Sequence, residues 1–166
     1  MFDYTKTVVG LAVHKESIVA AVLPPDSDRV ALTTKFENTP VALKTFVERL
    51  RSRGALTFVY EAGPCGYQVH RDLTAQGQEG VVLAPGLIPK RPGDKVTTDR
   101  RDAEKLAQLQ RAGQLTAVNV PTRADEADRD LVRAREDVLS ERLRARHRLG
   151  KFLLRHGLIW RETKAW

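Results

Sequence analysis

The sequence predicts an α/β chain, a mixed β-sheet with flanking helices followed by a long helical segment. Three observations predict it. Short β-branched runs crowd the chain up to Phe36, helix and strand patterns then alternate as far as Ala112, and the stretch from about Ala124 to His156 has no Pro and no Gly except Gly150.

Thr7 to Val13, Ser17 to Leu23 and Arg29 to Phe36 read as strands. The segments between them, His14-Lys15-Glu16 and Pro24-Pro25-Asp26-Ser27-Asp28, are too short for a crossover, so these strands should be antiparallel neighbours. At Thr39-Pro40 the period changes: an N-cap residue precedes proline at the first helical position, and Leu43, Phe46, Val47 and Leu50 form an apolar stripe that Gly54 closes. Leu56 to Tyr60 makes a fourth strand, with Glu61 where it runs out. A helix from about Tyr67 to Gln76 stops at Gly77, Glu79 to Ala84 makes a fifth strand, and another helix is expected from Asp99 to Ala112. Parallel strands need a helix-length return, which this alternation supplies.

The remainder reads as one long helix, with Gly150 as the one place where it could break. Leu131, Val138, Ala145 and Phe152 fall seven residues apart, an incomplete coiled-coil seam that needs a partner helix to bury it. Two segments follow, residues 1–122 as the α/β domain and 123–166 as the Arg-rich helical region.

With 166 residues and 42% hydrophobic content, the chain can bury a real core. The formal net charge of +7 and a pI near 9.9 favour a polyanionic partner. No long apolar run and no basic-then-apolar start suggest insertion or export, so a cytoplasmic protein is expected. One cysteine, Cys65, excludes an internal disulfide framework and a multi-cysteine zinc site, and is expected to be a structural or turn residue.

The chemistry lies in the acids. Glu61 ends a strand, and Asp99 and Asp102 are three apart, on one face of a helix. Clustered carboxylates raise one another's pKa unless a cation neutralises them, and Mg²⁺ or Mn²⁺ takes such oxygen ligands. For Asp99 and Asp102 alone, a helix cap plus a surface ion pair with Arg100, Arg101 or Lys105 is the competing explanation. A two-ion phosphodiester site also wants a strand-borne acid between the ions; on the first strand that position holds Ala12. His14 is expected to be a solvated turn residue. Gly63-Pro64-Cys65-Gly66 lacks the Lys-Ser/Thr of a phosphate loop, and aromatic content of 6% argues against Tyr60 and Tyr67 as a base-stacking platform. Cations concentrate at Lys90, Arg91 and Lys95, at Arg100 and Arg101, and along the last helix at Arg142, Arg144, Arg146, Arg148, Lys151 and Arg155. These suit phosphate contact, although a solvated, dipole-complementing face would carry the same charges.

Five strings in order carry a resemblance over nearly the whole chain: Val9-Gly10-Leu11-Ala12-Val13-His14-Lys15, Tyr60 to Tyr67, Pro89 to Ala103, Leu131 to Asp137, and Lys151 to Gly157. Together they resemble the DEDD-type insertion-sequence transposases, whose N-terminal domain is ribonuclease-H-like (RuvC-like). The resemblance implies a DNA transposase or site-specific recombinase that cuts and rejoins phosphodiesters with Mg²⁺ or Mn²⁺, two ions in the intact site, guided by a structured non-coding "bridge" RNA that pairs with target and donor DNA. It places the four acids at Ala12, Glu61, Asp99 and Asp102, so the first Asp is replaced, most simply by an engineered substitution, and the chain is expected to be inactive. It also implies a further serine-bearing domain beyond Trp166, hence a truncated chain; the long helix, in turn, suggests a homodimer or higher homo-oligomer. Two alternatives share these features: a nucleic-acid-binding and dimerisation module without metal chemistry, and a stand-alone nuclease like a Holliday-junction resolvase.

Overall fold

The computed structural model describes residues 5–89 and 98–159. In chain order it contains β1 (Thr7–Val13), β2 (Ser17–Leu23), β3 (Leu32–Glu37), α1 (Pro40–Leu50), β4 (Leu56–Glu61), α2 (Gln68–Ala75), β5 (Glu79–Leu83), α3 (Asp99–Arg111) and α4 (Arg123–Arg155). The five strands form one sheet in the order β3-β2-β1-β4-β5. β1, β2 and β3 pair antiparallel, whereas β4 and β5 run parallel to β1. This is the ribonuclease-H-like mixed sheet with flanking helices that the sequence predicts. The chain divides into two compact units, Met1–Val120 and Pro121–Trp166.

Alternation along the strands assigns each face its helices. Val9, Leu11, Phe58 and Tyr60 face a core shared with Leu43, Phe46, Val47 and Leu50 of α1 and Val69 and Leu73 of α2. Val8 and Val59 face the other way, against Leu106 and Ala107 of α3. Gly10 lies on that second face and is where strand and helix backbones meet: a Cβ there would stand 2.0 Å from the Ala103 carbonyl oxygen and 2.8 Å from the Ala107 nitrogen. Only glycine permits that approach.

Local chemistry sets the element ends. Thr39 caps α1, its Oγ1 accepting from the Ala42 N–H at 3.2 Å, as the Thr-Pro pair predicts. β3 begins at Leu32 rather than Arg29, because Ser27 Oγ accepts from the Arg29 N–H at 3.0 Å and holds a turn there. The N-cap of α3 is Thr98, whose Oγ1 accepts from the Arg101 N–H at 3.4 Å, so Asp99 is a first-turn residue with its carboxylate left for other work. At the far end of α3, Arg111 is buried, donating to the carbonyls of Ser27 at 2.9 Å and Leu23 at 2.8 Å.

In the second unit, α4 runs unbroken for 33 residues, through Gly150. A single interior glycine costs about 1 kcal/mol, too little to interrupt a helix of that length. Thr122 caps it, accepting from the Asp125 N–H at 3.1 Å.

Candidate active site

Position 12 and Glu61 come together through strand register. The last parallel pair of β1 and β4 is Leu11 with Tyr60, so Ala12 and Glu61 are the next residue on each strand. Adjacent strands lie about 4.8 Å apart. Ala12 shares the α3 face with Gly10, where it packs in the cluster of Val19, Ala21 and Ala103. Glu61 follows Val59 by two and shares that face too, and it is exposed at the C-terminal end of its strand. Ends of parallel strands are where side chains from distant segments collect in open α/β sheets.

Helix α3 brings the other two acids. Ala103 lies against Gly10, so the first turn of α3, with Asp99 and Asp102, projects beyond it at the same end of β1. A direct contact fixes this: His14 Nε2 stands 3.0 Å from Asp99 Oδ1. His14 is therefore not a merely solvated turn residue, though its side chain is still 53% exposed. The expected surface ion pair from the cationic neighbours goes elsewhere, since Arg100 Nε bonds Glu104 Oε1 at 2.8 Å along the helix. Beside Asp99 a groove of about 570 Å³ is lined by Val19, Thr33, Lys35, Thr98, Asp99 and Arg100. Lys35 entered from the antiparallel edge; its place on β3, a strand beside β2, was the only sequence signal for it.

The donor set fits a hard divalent cation in kind, all carboxylate oxygen. In placement it does not: no group of three or more His, Cys, Asp or Glu side chains among the described residues is placed to hold a metal ion, so Glu61, Asp99 and Asp102 are not brought together as one ligand set.

The other expected sites divide. Lys90, Arg91 and Lys95 lie outside the described residues. Arg101 is exposed on α3. On α4, at about 100° per residue, Arg144, Arg148, Lys151 and Arg155 form one stripe, while Arg142 and Arg146 lie on the opposite side. Arg144 also bonds Glu141 at 2.7 Å, and the Arg155 guanidinium stands 6.0 Å over the Phe152 ring. Tyr60 is buried and unavailable for stacking. Cys65 is half-buried in the turn before α2, 4.0 Å from Asn38 Nδ2.

A family model described as DEDD_Tnp_IS110, Transposase, matches residues 9–157. The chain belongs to the DEDD transposases of the IS110 family. It is 38% identical over 166 residues, 99% of this chain and 43% of the other, to the Sinorhizobium fredii protein named "Putative transposase y4qE". It is also 38% identical over 164 residues, 97% of this chain and 47% of the other, to the transposase for insertion sequence element IS1533 of Leptospira borgpetersenii. The chain thus spans under half the length of these two relatives. Among solved structures it is similar to T. thermophilus RuvC in complex with Holliday junction substrate, with a TM-score of 0.46 and 11% identity over 68% of this chain and 99% of that one. Among the described residues, no helix is long and apolar enough to cross a membrane.

Proposed function

We propose that this IS110-family chain is the metal-dependent nuclease domain of a DNA transposase and that Ala12 leaves it unable to cut. The observation that carries the reading is the register: Ala12 and Glu61 end neighbouring parallel strands on the face against which α3 presents Asp99 and Asp102. Glu61, Asp99 and Asp102, with an acid restored at position 12, would hold Mg²⁺ or Mn²⁺, two ions in the complete site. The chemistry supplied by the bound metal is activation of a water or 3′-hydroxyl and stabilisation of charge on the leaving oxygen. The protein orients the acids on a rigid strand pair and helix, and lays basic side chains along the nucleic acid. Choice of site we assign to a structured RNA paired with target and donor DNA.

A second reading, a nucleic-acid-binding and dimerisation module, draws on α4. No residue of that helix is buried, and Leu131, Val138 and Phe152 are exposed. Its four-cation stripe lies about a quarter turn from this seam, so pairing along the seam would leave the stripe free for phosphates. The two readings are compatible within one protein.

Calorimetry with Mn²⁺ separates them. The Ala12→Asp chain should bind the ion and the present chain should show at least tenfold weaker binding; equal heats from both would sink the metal-site reading and leave the module.

A further inference from the structure

A cavity of about 550 Å³ lies where β1 and β4 give way to their loops. Its lining joins Val13, the last residue of β1, to Pro64 and Cys65 of the loop after β4 and to Val69 of α2. The chain leaves β1 for the antiparallel β2 and leaves β4 for α2, so the two strand ends diverge and a crevice stays open between them, the place where open α/β sheets take ligands. Val13 and Val69 belong to the core under α1 and α2, which puts the cavity on the face away from α3 and apart from the groove beside Asp99. Its volume is within the range of roughly 300–1,000 Å³ usual for small-molecule sites, which are mostly apolar with a few placed polar groups. Here those groups are the carboxamides of Asn38 and Gln68 and the exposed ammonium of Lys15. Both carboxamides are anchored. Asn38 Nδ2 donates to His14 O at 2.7 Å, leaving its carbonyl oxygen as the group it offers a ligand, and Gln68 Nε2 donates to Asp72 Oδ1 at 2.7 Å.

We infer that this cavity receives one unpaired nucleobase of a DNA strand. The inference rests on the reading of this IS110-family chain as a protein that handles DNA, and on neither a metal ion nor an acid at position 12. A nucleobase matches the lining on three counts. Its flat apolar faces suit Val13, Pro64 and Val69. Its polar edge suits fixed carboxamides, the side chains that pair with base edges in direct readout. The phosphate attached to it suits Lys15, since no acid is among the residues that line the cavity. A wholly apolar ligand would leave the carboxamides without partners, at a cost. A base stacked inside a duplex cannot enter a side cavity without leaving the stack, so the base is one that is unpaired or extruded.

The test uses the 166-residue chain as it stands, whose single cysteine lines the cavity and reports its occupancy. Two single-stranded DNA probes of equal length and charge are compared, oligothymidylate and an oligomer made wholly of abasic residues. Binding is read by fluorescence anisotropy, and access to Cys65 by the rate of its alkylation with N-ethylmaleimide. Oligothymidylate should bind about tenfold more tightly than the abasic strand, the scale of one base held by the protein. At saturation it should slow alkylation by a similar factor, whereas the saturating abasic strand should leave the rate unchanged. Gln68→Leu, which keeps the bulk and removes the carboxamide, should erase most of the preference for the strand with bases; should that variant melt lower, the comparison of the two strands on the parent decides. Equal affinity for the two strands overturns the inference alone, as does alkylation that bound oligothymidylate fails to slow, or a preference that a fully folded Gln68→Leu chain retains. Protection by oligouridylate that the DNA strand does not give overturns the assignment to DNA. Binding of neither DNA strand overturns the reading of the chain as a DNA-handling protein, and this inference with it.

Discussion

At the scale of single residues, two positions show how tightly the site is built into the core. Gly10 is in contact with backbone atoms of α3, not with side chains that could move away. Gly10→Ala should therefore push α3 from β1 and cost about 3 kcal/mol or more, read as a lower urea midpoint; a loss below about 0.5 kcal/mol would show that the helix is not seated there. Tyr60 sits one residue before Glu61 and is 1% exposed, and burial pushes its phenol up to about 12 from 10.0, against an opposing hydrogen bond from the His70 backbone. Its Oη accepts from that N–H at 3.2 Å. Because the folded-state value is raised, the contribution is whole below pH 10 and is lost as pH rises toward about 12. Stability should fall by roughly 2–3 kcal/mol across that window, and Tyr60→Phe should flatten the fall. Urea unfolding at pH 9 and pH 12 measures it, and an equal fall in both proteins would contradict the assignment.

At the scale of elements, α3 is the part on which the site depends, because it carries two acids and is pinned at both ends. His14 holds its first turn and Arg111 its last, where the guanidinium bonds carbonyls of β2 and of the turn after it. Replacing Arg111 by Met would leave those buried carbonyls without their donor and should cost about 2–3 kcal/mol; a melting curve indistinguishable from the parent's would contradict this. Most strand and helix positions were legible in the sequence, since β-branched runs, Thr-Pro and the Leu43-Phe46-Val47-Leu50 stripe are local signals. The set of Ala12, Glu61, Asp99 and Asp102 is a proposal read from strand ends, helical spacing and the family resemblance, and the described residues do not gather three of them into one ligand group. Arg111 was not legible, because a basic residue late in a helix reads as a dipole-complementing surface charge until its carbonyl partners, 84 and 88 positions away, are known. His14 was hidden for the same reason. The late start of β3 follows from a Ser27 hydroxyl bond that composition does not reveal, and Gly150 suggested a break that helix length overrode.

At the scale of the molecule, an IS110-family chain pairs a ribonuclease-H-like sheet with a 33-residue helix that buries nothing of its own. Leu131, Val138 and Phe152 are 71%, 68% and 49% exposed, a seam that calls for a second helix. Light scattering should give twice 18.6 kDa at working concentrations, and the triple change of these residues to Ser should return the mass to a single chain. A concentration-independent monomer before mutation would contradict the seam. The central proposal concerns the other unit: that the ends of β1 and β4 and the first turn of α3 form one metal centre once an acid stands at position 12. Anomalous scattering from Mn²⁺ in crystals of the Ala12→Asp chain tests this most directly. The account predicts a peak bounded by the introduced aspartate, Glu61, Asp99 and Asp102, absent from the Ala12 parent; a peak elsewhere, or none with the ion in excess, would contradict it.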